Sequence, residues 1–105
     1  MTSVKFLSKN ESLYGFEILG HSSVDCNDAE GKIVCAAISS AGFMAANTII
    51  EIIGDKCDAV VDDAKMFVSV KNPSDKTIAV LEGLKLHLTE LSKQYSKRIK
   101  ITTEV

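Results

Sequence analysis

Apolar and polar positions change period several times along the chain. Val4 and Phe6 are interleaved with Lys5 and Leu7, and Tyr14, Phe16 and Ile18 with Gly15, Glu17 and Leu19. A period of two is that of strands, and the polar link KNES at 9–12 predicts a hairpin between them. A polar stretch, SSVDCNDAEGK at 22–32, reads as a loop leading into a helix. The helix is predicted over 33–53, ending at Gly54, because glycine takes the left-handed conformation cheaply. Ala59 and Val61, then Met66, Val68 and Val70, alternate with polar neighbours across an Asp62-Asp63-Ala64 turn, a second hairpin. Asn72-Pro73-Ser74 breaks it, with Ser74 placed to cap a second helix. In that helix Ile78, Leu81, Leu84, Leu88, Leu91 and Tyr95 recur at spacings of three and four, a strong amphipathic signal. Ile99, Ile101, Thr103 and Val105 then alternate with polar residues in a last strand.

The order is ββαββαβ, an α+β domain over 1–105 with two helices packed on a mixed sheet. The first helix includes 18 uncharged residues, IVCAAISSAGFMAANTII. That length just suffices to span a bilayer. Ser39, Ser40, Gly42, Asn47 and Thr48 interrupt the run, and Lys32 and Glu51 close it. A helix buried in protein on most sides, and no membrane, is the expectation. A small domain has little core to cover so apolar a helix, and a second copy of the chain would supply the cover.

Charge narrows the function classes. A net charge of -2 argues against broad phosphate neutralisation, so no DNA partner is expected. The cluster Lys93, Lys97, Arg98 and Lys100 leaves a local contact with RNA open, or simply balances the helix end. Residues 1–10 carry no apolar leader, and the three cysteines form no regular framework. Both point to the reducing cytoplasm. No CxxC pair or Cys/His cluster with zinc spacing is present, so neither metal nor cofactor is expected.

The residues that could carry chemistry are few. His21 ends the second strand, and Cys35 falls in the first turn of a helix starting at Ile33. There the partial positive charge of the helix end would stabilise a thiolate, and open N–H groups could hold an oxyanion. The same two residues could instead be a small buried hydrophobe and a loop-edge histidine. Cys26 reads as an incidental thiol, Cys57 as packing and His87 as a partly exposed structural residue. Ser39 and Ser40 fall one turn after Cys35, where Ser39 could touch a substrate. Asp55, Asp58, Asp62 and Asp63 lack the spacing of a calcium loop and read as a solvated rim.

Gly15-Phe16-Glu17 through Gly20-His21, followed by Ile33-Val34-Cys35-Ala36-Ala37-Ile38-Ser39, resembles the bacterial ribosomal-processing cysteine protease Prp family. The similarity spans essentially the whole chain. It implies a peptidase with the catalytic pair His21 and Cys35, a homodimer, and a substrate in the N-terminal extension of large-subunit ribosomal protein number twenty-seven. Many members carry an acidic residue three positions before the cysteine, where this chain has Lys32. Asp25, Asp28 and Glu30 are the carboxylates that could orient the imidazole in its place. Lys32 could itself favour the thiolate by its charge. A non-catalytic ribosome-associated binding module and a purely structural homodimer are the rival readings.

Overall fold

The computed structural model describes residues 1–20 and 28–105. Their order is β1 (Thr2–Lys9), β2 (Ser12–Leu19), α1 (Ala29–Asn47) running into a π-helical segment (Thr48–Ile53), β3 (Cys57–Asp62), β4 (Lys65–Val70), α2 (Asp75–Gln94) and β5 (Ile99–Glu104). The strands form one mixed sheet in the order β3-β4-β2-β1-β5. Only the β1–β5 pair is parallel; the others are antiparallel. The expected α+β arrangement is therefore present.

Local chemistry accounts for the joints. Asn10 and Glu11 both take positive φ, 54° and 66°, the pairing of a tight turn whose twist matches the strands it joins. Ser74 caps α2, its Oγ accepting from Thr77 N–H at 3.4 Å. At the other helix Gly54, with φ 83°, closes the π-helical segment, and its N–H bonds the Ile49 carbonyl five residues back at 2.9 Å.

The alternation in the strands sends Val4, Phe6, Phe16, Ile18, Met66, Val68 and Ile99 to one face, where they pack with Val34, Ile38, Ala45 and Ile49 of the first helix and Leu81, Leu84 and Leu88 of α2. Phe6 and Phe16 pair across the strands with ring centroids 6.5 Å apart. Close approach of α1 to the sheet depends on Gly42, where an added Cβ would meet Met66 Sδ at 2.7 Å and Ile18 Cδ1 at 3.0 Å. The opposite face is wet, and there Lys5 lies 3.8 Å from Glu17 and 3.3 Å from Glu104. Lys65 lies 3.9 Å from Glu17 on the same face.

Three expectations change. The first helix begins at Ala29, four residues before Ile33, because Asp28 caps it by accepting from Gly31 N–H at 3.1 Å. It is also not buried on most sides. The stretch Ala29–Ile53 is long and apolar enough by composition to cross a membrane, yet only 33% of its most apolar window is covered. Its inner side packs on the sheet and α2, while Ile33 (63%), Met44 (60%) and Ile52 (80%) stand in solvent. Finally, Asp55 is no part of a solvated rim. Its carboxylate accepts from Ser74 N–H at 2.8 Å, Ser74 Oγ at 2.8 Å and Thr77 Oγ1 at 2.6 Å, joining the end of the first helical unit to the start of α2.

Candidate active site

Cys35 is half-buried on α1, on the side turned towards the β3–β4 hairpin. It lines a cleft of ≈ 240 Å³ together with Ile38, Ser39 and Phe43 of the same helix, Gly20 just after β2, and the hairpin end from Val61 to Met66. Helical spacing explains the first set, since residues 35, 38, 39 and 43 project from one side. The second set is held by a tertiary bond, from Gly20 N–H to the Ala64 carbonyl at 2.9 Å, which ties the end of β2 to the β3–β4 turn. Gly20 immediately precedes His21 in the chain. His21, Asp25 and Cys26 lie outside the described residues.

The early start of α1 removes one expected source of activation. Cys35 lies six residues after Ala29, about 9 Å along the axis. The charge of a helix end fades within its first turn. Inside the helix the N–H groups are spent on the carbonyls four residues back, so the helix terminus does not supply the oxyanion donors either. A catalytic role for Cys35 would therefore have to draw on neighbouring side chains. Lys32 sits one turn before Cys35, in the i, i+3 relation that brings side chains together on a helix surface.

Asp28 and Glu30, two of the carboxylates considered for orienting the imidazole, are both engaged by one residue. Arg98 Nη1 and Nη2 meet Asp28 Oδ2 and Oδ1 at 2.7 and 3.0 Å, and Nε meets Glu30 Oε1 at 2.9 Å. This planar bidentate grip pins the start of α1 to the residues before β5. Arg98 is thus committed inside the protein, and Lys93 pairs with Glu90 at 3.0 Å, which weakens the basic cluster as a nucleic-acid contact.

The remaining candidates separate cleanly. Ser39 shares the cleft with Cys35, whereas Ser40 and His87 are exposed elsewhere. Cys57 opens β3, where burial pushes its thiol up and the Asp58 and Asp55 charges add to the shift. Such a thiol is a poor nucleophile near neutral pH. Among the described residues no group of His, Cys, Asp and Glu could hold a metal ion. Sequence periodicity did not reveal that the β3–β4 hairpin forms the far wall of the cleft, since nothing in that pattern reports which turn faces which helix.

Residues 1–100 match the family described as cysteine protease Prp. The chain belongs to that family. No curated protein matches it in sequence. Among solved structures the fold is similar to that of the essential ribosomal processing protease Prp of S. aureus, solved with a covalently linked product peptide, at a TM-score of 0.85 and 23% identity over 99% of this chain and 100% of that one. The same S. aureus protease with a substrate peptide gives 0.86 at 22% identity, again over 99% and 100%. A Streptococcus mutans protein, SMU.848, gives 0.83 at 20% identity over 99% and 96%. At such identities the likeness establishes the shared fold. Family membership brings cysteine peptidase chemistry, and the one cysteine that lines the cleft among the described residues is Cys35.

Proposed function

We propose that this chain is a cysteine endopeptidase that removes the N-terminal extension of large-subunit ribosomal protein number twenty-seven during ribosome assembly, in the cytoplasm and as a homodimer. The observation that carries the reading is the cleft, which holds Cys35 opposite Gly20, the residue before His21. The S. aureus protease of the same fold binds a substrate peptide, which favours an extended peptide in this cleft too. The uncovered apolar side of α1 favours the homodimer.

In this reading His21 takes the Cys35 proton and the thiolate adds to the scissile carbonyl carbon. Collapse of the tetrahedral species breaks the C–N bond, and the imidazolium protonates the departing amine. Water, deprotonated by His21, then attacks the thioester and releases the new carboxylate with Cys35 restored. Ser39, one turn further along the cleft, contacts the bound peptide; of the carboxylates considered for orienting His21, Asp28 and Glu30 are already held by Arg98, which favours Asp25.

The test is incubation with the extended ribosomal protein from the same organism. Wild type cuts one bond near its N-terminus, and Cys35→Ala or His21→Ala lowers kcat by about 10³-fold or more. Iodoacetamide should label Cys35 well ahead of Cys57. Intact substrate after prolonged incubation, or equal cutting by Cys35→Ala, overturns the proposal and leaves a non-catalytic dimer.

A further inference from the structure

The strand at one margin of the sheet is unusual in its exposure. β3 has β4 on one side and, among the described residues, nothing on the other. From Asp58 to Asp62 every residue is exposed, including Ala59 and Val61 on the side that faces the helices. The reason lies in the seat of α1, which rests through Gly42 on Met66 and Ile18 of β4 and β2 and so stops short of β3. Proteins normally guard such an edge with lysine, proline or a bulge, because its open N–H and C=O groups template another strand. β3 has no lysine, proline or bulge, and its two charges, Asp58 and Asp62, flank an uncharged Ala59-Val60-Val61 run. Its sequence is CDAVVD, paired without a register shift, with Val60 and Val61 51% and 53% exposed.

Position shows what this edge serves. Val61 and Asp62, at the end of β3, line the same cleft as Cys35. β4 and β2 have strands on both sides and offer a substrate no backbone. The other open margin, β5, lies four strands away, about 19 Å at ordinary strand spacing, on the far side of the sheet from β3. A peptide whose scissile bond reaches Cys35 can therefore find a row of main-chain partners at β3. We infer that the peptide substrate adds to the outer edge of β3 as an extra strand, so that its backbone is held by β3 and its scissile bond is delivered to Cys35.

The inference rests on the peptidase reading and specifies how that site holds its substrate. Strand addition draws affinity from main-chain hydrogen bonds and selectivity from alternate side chains. Those on the helix side of the added strand meet Val61 and Phe43, and those on the other side meet Val60 between Asp58 and Asp62. Six residues of β3 match about 20 Å of extended peptide.

Two measurements test it, after cleavage of the unmodified extended peptide by wild type has been established separately. The first follows amide hydrogen exchange in Cys35→Ala with and without that peptide. Alternate amides of β3 should slow by about tenfold or more at saturating peptide, while those of β5 do not change. The second scans the peptide with single backbone N-methyl groups. KM should rise about tenfold at every second position on one side of the scissile bond, with kcat nearly constant. If wild type cuts the peptide while β3 amides stay unprotected, or if the scan has no period of two, strand addition is wrong and the peptidase reading stands. If β3 is already protected without peptide and the protection grows with protein concentration, the edge belongs to a second copy and the inference is overturned.

Discussion

Asp55 shows how much one side chain can organise. Three donors converge on it, and they hold its carboxyl below the ordinary range, the Ser74 N–H first and the Thr77 and Ser74 hydroxyls next. The carboxylate is therefore favoured in the native state, so its stabilisation is complete above the unfolded value of about 4 and is lost as pH falls through the lowered native one. Asp55→Asn should lower Tm near neutral pH, and the gap from wild type should shrink as pH drops below about 4. A gap that keeps its size across a Tm series from about pH 7 to about pH 2.5 would show that the charge is not what stabilises. Gly42 is the opposite case, significant for what it lacks. Gly42→Val should cost about 1–3 kcal/mol in urea denaturation by overpacking. Because Met66 and Ile18 line the cleft as well, KM should also rise. Unchanged stability would mean that the helix can lift from the sheet without loss.

At the scale of elements, the start of α1 is decided by a bond from far along the chain. Asp28 caps the helix and is gripped together with Glu30 by Arg98, 70 and 68 residues away respectively. Arg98→Ala should leave the sheet intact and loosen the first turn, so amides at 31–33 exchange faster while those of β1 and β2 do not. Arg98→Lys should restore only part of the protection, since an ammonium cannot match the planar grip on a carboxylate. Uniform loss of protection across all elements would place Arg98 in global stability instead. The sequence marks the end of the first helical unit, α1 with its π-helical extension, more clearly than its start. Gly54 is a local stop, whereas the cap at Asp28 sits inside a polar stretch with several residues able to cap. Choosing among them needs the position of Arg98.

At the scale of the molecule, the uncovered side of α1 carries the expectation of a second copy. Ile33, Met44 and Ile52 lie on one continuous helical unit, and exposing them to water costs about 25 cal/mol per Å² of apolar surface. Met44→Glu combined with Ile52→Lys should turn a homodimer into a monomer in sedimentation equilibrium. A wild type that sediments as a monomer at every concentration would remove the homodimer from the proposal.

The sequence by itself determined the elements and their order, because strand alternation, helical periodicity and the turn residues at Asn10, Gly54 and Ser74 are local signals. It also singled out Cys35, through the GH and IVCAAIS segments that carry the family resemblance. The tertiary structure decided which surfaces meet. Only there does the β3–β4 hairpin become the wall opposite Cys35, and only there does Arg98 become the anchor of a helix rather than a surface charge. The physical reason is that pairing across the sheet and ion pairs between distant residues depend on how the chain returns in space, which no window of sequence contains.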